Sequence, residues 1–264
     1  MKTINYHTHT VFCDGKNTAE EMVLSAIEKD MAEIGFSVHA PLPFKETWDI
    51  KMEKMPEYIS TLKLLREKYK DQIKIYIGIE QDYYSEGSTD EFDYVIGSVH
   101  YIYKDGAYLP LDLSPEATKE NIVKYYDGDA LAYCEDYYKL VKDVYNKTKC
   151  QIIGHFDMIT KFNERMPMID TNHPRYKAAA VDAIAELVKT PAIFEINTGA
   201  ISRGYRTTPY PSDYLLDIMA ESGKPFVINS DSHSVDSIDF GIKKMMLTLD
   251  MCGYKYIKSL EEIL

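Results

Sequence analysis

Positive charge is scarce in this chain: 30 lysines and arginines face 42 aspartates and glutamates, a formal net charge of −12. A generic nucleic-acid binder needs clustered cations to displace counterions from phosphate backbones, so this balance argues against that class. Long apolar runs are missing as well. No stretch approaches the ~18 consecutive apolar residues of a membrane span, and the opening MKTINYHTHT has no apolar core of a secretory signal. The expected location is therefore the cytoplasm, with no membrane partner. Cysteine is sparse, and Cys13, Cys134, Cys150 and Cys252 form no CxxC pair, so reduced thiols are expected rather than a disulfide framework. Low-complexity tracts, long linkers and short internal repeats are absent too, which leaves residues 1–264 as one expected domain.

What is present is an alternation. Apolar runs fall at Thr3–Tyr6, Ile34–Val38, Ile73–Ile79, Tyr94–Val99, Gln151–Ile153, Ala192–Ile196 and Pro225–Ile228. Several are continuous rather than alternating, as in strands covered on both faces. Helical patterns lie between most of them. Thr18 and Glu21 form a capping-box signature. Pro56, Pro115, Pro174 and Pro211 open further helices, Asp127-Gly128 interrupts one, Pro191 and Gly223 close two, and a last helix is expected over 237–250. Strands alternating with helices imply parallel pairing through crossover helices. Seven such units favour a closed or nearly closed α/β barrel, with a doubly wound sheet as the competing arrangement. In both, active sites form beyond the carboxyl ends of the strands.

The polar residues obey that rule. His7 and His9 follow the first run, His39 the second, Glu80 the third, His100 the fourth and His155 the fifth. Glu195 and Asn197 end the sixth, and Asp231 and His233 follow the seventh. Of the 7 histidines, only His173 lies elsewhere, before a helix. One histidine at a strand end is commonly a satisfied structural residue; six at one end of one sheet are not explained that way. Imidazole is a preferred ligand for zinc, iron and nickel, and carboxylates add harder oxygens. On a strand, residues i and i+2 share a face, so His7 and His9 can reach one cation. Asp231 and His233 repeat the spacing, and Glu80 can bridge two cations. So many candidate ligands exceed the needs of one ion and point to two or three.

These segments resemble the polymerase and histidinol phosphatase (PHP) family. The resemblance is carried by HTHT at 7–10 with Asp14 after it, SVHAP, GIEQD, GSVHY, IGHFD, FEINTG and NSDSHS. The ordered pattern H, H, D, H, E, H, H, D, H is met by His7, His9, Asp14, His39, Glu80, His100, His155, Asp231 and His233. The FCDG, GHFD and FEINTG segments and the length look most like the stand-alone histidinol-phosphate phosphatases within it. The resemblance implies a single-domain distorted (β/α)7, TIM-like barrel and a trinuclear site. His7, His9, Glu80 and Asp231 would hold one metal, Glu80, His100 and His155 a second, and Asp14, His39 and His233 the third. It also implies catalytic roles for Asp231, His233 and His39, and hydrolysis of L-histidinol phosphate to L-histidinol and phosphate. Other small phosphomonoesters (a sugar phosphate, a nucleotide or a phosphotyrosine) are the competing substrates.

Such a site hydrolyses by a hydroxide that metals make available at neutral pH, with zinc, iron or manganese all suited to the donor set. Ser98, Ser230 and Cys13 are the competing nucleophiles, each without an evident base. Phosphate recognition away from the metals needs cations. Lys161 after His155, and Arg203 and Arg206 in SRGYR, are the candidates, with Arg203 first because Gly204 beside it permits close approach. Glu195 and Asn197 are expected to orient ligands or the substrate amine. Phe44, Trp48, Tyr83, Tyr101 and Tyr210 lie after strands and could wall a pocket, and PLPFKETWD could form a lid.

Overall fold

A computed structural model describes residues 2–264. Its strands and helices follow one another as β1 (Ile4–Asn5), α1 (Ala19–Glu28), β2 (Glu33–His39), α2 (Met55–Lys68), β3 (Lys74–Asp82), β4 (Tyr94–Ser98), β5 (Tyr101–Lys104), β6 (Ala107–Pro110), α3 (Pro115–Tyr126), α4 (Ala130–Thr148), β7 (Ile152–Ile153), α5 (Pro174–Leu187), β8 (Ile193–Asn197), α6 (Gly199–Ser202), α7 (Asp213–Ala220), β9 (Phe226–Asn229) and α8 (Ile242–Cys252). The seven expected strands are all found and form one sheet in the order β1-β2-β3-β4-β7-β8-β9. Every neighbouring pair in it is parallel.

The sheet curls until its two edges meet. Thr8 bridges Ser232 in parallel fashion. The His9 amide donates to the Ser232 carbonyl at 2.8 Å and the Ser232 amide to the His7 carbonyl at 3.1 Å. Lower on the seam, Asn5 Nδ2 donates to Ser230 Oγ at 2.7 Å, and Asn229 Oδ1 accepts the Tyr6 amide at 2.8 Å. The result is the nearly closed seven-stranded barrel that the alternation called for.

The barrel interior is apolar at one end. Tyr6, Tyr94, Ile96, Ile152, Ile193 and Val227 pack there with Ile257 and Leu260 from the chain's last turn. Glu33 pins that turn, accepting from Ser259 Oγ at 2.8 Å and the Leu260 amide at 3.1 Å. Tyr94 crosses the lumen, and its hydroxyl donates to the Tyr6 carbonyl and, at 3.1 Å, to that of Phe36. Its ring occupies the space that side chains at Gly35 and Gly78 would fill. Two apolar layers outside the sheet bury the helices.

Local signals explain most element ends. Thr18 and Glu21 make the reciprocal capping box of α1. Ser114 and Asp129 cap α3 and α4 on either side of the left-handed Asp127. His173 caps α5, its Nδ1 accepting the Arg175 amide at 3.1 Å, which accounts for the histidine outside the cluster.

Two expectations need correction. The helix expected from Pro211 starts at Asp213, because Ser212 is still extended and serves as its cap residue. The last helix starts at Ile242 rather than residue 237, because Gly241 adopts φ +73° and only a short turn, Val235–Ser237, precedes it. The β5–β6 hairpin is an addition. Its turn residues Asp105 and Gly106 have φ +48° and +83°, as a two-residue type I′ turn requires.

Because a Cβ at Gly78 would overlap the Tyr94 ring, Gly78→Ala should destabilise the barrel by about 1–3 kcal/mol, the usual range for overpacking. Urea unfolding measures this; an unchanged midpoint would show that Tyr94 is free to move aside.

Candidate active site

The other end of the barrel is polar, and strand geometry makes it so. The extended chain around Thr8 sends His7 and His9 to the same face, with ring centroids 5.1 Å apart. Thr8 faces the other way, and its hydroxyl donates to the Gly35 carbonyl at 2.6 Å. Glu80 reaches into the same space from β3 with a fully buried side chain. Its Oε2 lies 2.9 Å from His39 Nδ1, 3.2 Å from His7 Nε2 and 3.6 Å from His9 Nε2. Its Oε1 lies 2.9 Å from His155 Nε2 and 3.4 Å from His100 Nε2. Asp231 Oδ1 approaches His9 Nε2 at 3.3 Å and His7 Nε2 at 3.6 Å. Asp14 completes the rim, 3.3 Å from His233 Nε2 and 3.6 Å from His39 Nε2.

The donor atoms converge in four overlapping groups: His9, Asp14, His39 and His233; His7, Glu80 and His155; His7, His9 and Asp231; and His39, Glu80 and His100. Together they contain all nine residues singled out in the sequence. His7 Nε2, His9 Nε2, His39 Nδ1 and Glu80 Oε2 are buried without a hydrogen-bond partner. The 2.9 Å approach of His39 to Glu80 is therefore close but not aligned for a hydrogen bond. Buried polar atoms are rarely left so. Imidazole nitrogens and carboxylate oxygens aimed at shared points form a donor set that fits divalent cations.

Charge in the cluster is tightly coupled. Burial pushes the Glu80 carboxyl up, but His7, His39, His100 and His155 outweigh it and hold the group well below the usual carboxylate range. Burial likewise opposes ionisation of Asp231, which Arg203, His7, His9 and His233 hold well below that range. His7 is raised well above its ordinary value against its burial, chiefly by Glu195 and then Glu80 and Asp231. His100 is raised to about 9, its burial outweighed by Glu80 and Asp82. Burial, with His233 and His39 alongside, pushes His9 down to about 3. The carboxylates are thus ionised at neutral pH, and His9 offers a free lone pair. The protons that His7 and His100 retain are the ones a divalent cation would displace.

Outer partners fix the ligand orientations. His7 Nδ1 donates to Glu195 Oε1 at 2.7 Å. Glu195 also accepts the His155 amide at 2.8 Å, Asn197 Nδ2 at 3.0 Å and Asn229 Nδ2 at 2.8 Å. Asp82 takes both the His100 amide, at 2.7 Å, and its ring Nδ1, at 3.2 Å. Ser98 Oγ donates to Glu80 Oε1 at 2.7 Å. Asp82 was not singled out in the sequence, although it stands two residues beyond Glu80 and so shares its face.

The competing nucleophiles are committed elsewhere. Ser98 bonds Glu80, and Ser230 Oγ donates to the Ile238 carbonyl at 3.0 Å. Burial, reinforced by Asp14, pushes the Cys13 thiol up to about 12, which leaves no thiolate at neutral pH.

A cavity of about 390 Å³ opens over the cluster, with Arg203, Lys161, Glu46, Trp48, Tyr101 and Asp112 in its wall. Arg203 Nη2 donates to Asp231 Oδ2 at 2.9 Å and Nη1 to the Asp231 carbonyl at 2.8 Å. Lys161 Nζ stands 3.5 Å from Asp112 Oδ2. Arg206, expected at the phosphate, lies behind the wall instead. It donates to Thr160 Oγ1 at 2.6 Å, pairs with Asp157 at 3.6 Å and stacks over the Tyr210 ring at 4.3 Å. Among the expected aromatic residues, Trp48 and Tyr101 line the cavity; Phe44 stacks on Tyr108, and Tyr83 turns away to Asp143 at 2.9 Å.

Comparison with known proteins agrees with this architecture. A histidinol-phosphatase of Bacillus subtilis is 27% identical over 273 residues, covering 93% of this chain and 99% of that protein. A Listeria monocytogenes protein designated a histidinol phosphatase superposes with a TM-score of 0.80 at 26% identity, over 92% of this chain and 99% of that one. A Lactococcus lactis histidinol phosphate phosphatase, solved with zinc, L-histidinol and phosphate, shares the fold at a TM-score of 0.68 and 23% identity, over 97% of this chain and 95% of its own. The PHP domain model matches residues 5–199, a span that holds every candidate ligand except Asp231 and His233. The chain belongs to the PHP domain family.

Proposed function

We propose that this protein hydrolyses L-histidinol phosphate to L-histidinol and phosphate. The observation that carries the reading is the cavity itself, whose floor is a convergent histidine–carboxylate donor set and whose wall offers Arg203 and Lys161. The activity named for the relatives supports it. His7, His9, Glu80 and Asp231 would hold one divalent cation, Glu80, His100 and His155 a second, and Asp14, His39 and His233 a third. Zinc, iron and manganese all suit this donor chemistry. Bound there, such cations supply Lewis acidity that lowers the pKa of water and neutralises phosphoryl oxygens.

The chain's own residues do the rest. Arg203, with two of its nitrogens turned to Asp231, neutralises phosphoryl charge at the edge of the donor set. Lys161 adds a second cation to the wall. Asp231, His233 and His39 stand where substrate meets the donor set, and they act in catalysis by fixing charge and orientation. Glu195 and Asp82 keep His7 and His100 in position. The test is a panel of phosphomonoesters assayed with the metal-loaded protein. L-histidinol phosphate should be turned over in clear preference, and a chelator should abolish the activity. Equal turnover of sugar phosphates, nucleotides and phosphotyrosine would replace this reading with a broader phosphatase.

Two substitutions separate the roles. Glu195→Gln removes the charge that receives His7 Nδ1, and metal affinity should fall about 10–100-fold, as for other outer partners of metal-bound histidines. Competition with a chromophoric chelator measures it. Arg203→Ala should raise KM by about tenfold or more, the scale of one lost charge-assisted contact. Because Arg203 also bonds Asp231, the variant should retain less metal at limiting metal concentration. Elemental analysis beside the kinetics checks both, and unchanged kinetics at full metal loading would remove Arg203 from substrate binding.

A further inference from the structure

We propose that Glu46, at the end of a shelf formed by Trp48 and Tyr101, selects phosphomonoesters whose leaving group carries a cationic N–H group. The proposal deepens the reading above and rests on its phosphomonoesterase part. Contacts run outward from the donor set in a definite order. The Trp48 ring stands edge-on to His39 at 4.5 Å between centroids and tilted to His100 at 5.5 Å. Its Nε1 donates to the Tyr101 hydroxyl at 3.2 Å, and the two rings are parallel within 6°. Burial and the adjoining Glu46 carboxylate raise the Tyr101 hydroxyl above its ordinary value. Glu46 itself lines the cavity.

Glu46 differs from every other carboxylate in that wall. Asp14, Glu80 and Asp231 belong to the donor set, and Asp112 is paired with Lys161. Glu46 forms no ion pair with any lysine, arginine or histidine among the described residues. Lys51 Nζ donates to the Glu46 backbone carbonyl at 2.8 Å and pairs with Asp49 rather than with the Glu46 carboxylate. A carboxylate without a cationic partner, in the same wall as two flat aromatic rings, can accept from a flat or compact cation while the rings pack against it. An imidazole or ammonium on the leaving group has that chemistry. A neutral leaving group offers Glu46 at most an uncharged donor and leaves its charge without a counter-charge.

The test compares metal-loaded wild type with Glu46→Gln on L-histidinol phosphate, phosphoethanolamine and 4-nitrophenyl phosphate. The preference for L-histidinol phosphate over 4-nitrophenyl phosphate, read as a ratio of kcat/KM, should fall about 10–100-fold, mainly through KM. Glu46→Asp should restore part of it, and metal content should match wild type in both variants. A ratio unchanged within about twofold, or an equal fall for both substrates, overturns the proposal. A wild type that prefers phosphoethanolamine to 4-nitrophenyl phosphate but ignores L-histidinol phosphate would refute the substrate reading alone, and the phosphoethanolamine ratio would then judge Glu46 by the same measure. A wild type with no preference for a cationic leaving group overturns the Glu46 proposal outright.

Discussion

Everything at the polar end of the barrel depends on one buried charge. Glu80 has no exposed side-chain surface and faces five imidazoles from four other segments of the chain. An isolated carboxylate in that position would be neutralised by protonation, because burial disfavours its charged form. It stays ionised only because positive charge, carried by protons or by metal, surrounds it. The five histidines in turn require a frame that brings four strand ends beside that of β3. A parallel barrel supplies this, since all its strands end on the same side.

The two ends of the lumen divide the work. One end is filled by Tyr94, Tyr6 and the isoleucines, sealed by Ile257 and Leu260, and its close packing keeps the strands at fixed spacing. The other end is filled by ligands whose useful geometry tolerates little displacement. Glu195, Asn197 and Asn229 form the layer between, buried and mutually hydrogen-bonded. The apolar floor thus acts on the chemistry by holding in register the strands from which His7, Glu80 and His155 project.

Much of this was legible in the sequence, for physical reasons. Continuous apolar runs mark strands covered on both faces, and period two puts His7 and His9 on one face. Asp231 and His233 were legible only as polar residues after the last strand, since Asp231 adopts φ +48° beyond the end of β9. The missed features depend on three-dimensional contact. Arg203 and Arg206 stand three residues apart in one loop, and nothing in SRGYR says that the first bonds Asp231 while the second is drawn under the wall by Asp157 and Tyr210. Glu46 lies in a loop without periodicity, and its meaning comes only from Tyr101, distant in sequence. Asp82 and the Asp105-Gly106 hairpin were different, since pattern alone could have found both.

The seam between Thr8 and Ser232 has a temporal consequence. His7 and His9 are the first of the nine ligands to be synthesised, whereas Asp231 and His233 are the last. A nascent or prematurely ended chain therefore carries imidazoles that can bind a cation loosely but cannot enclose it. Full enclosure waits for the last strand to dock against the first, so tight cation retention reports that the barrel has closed.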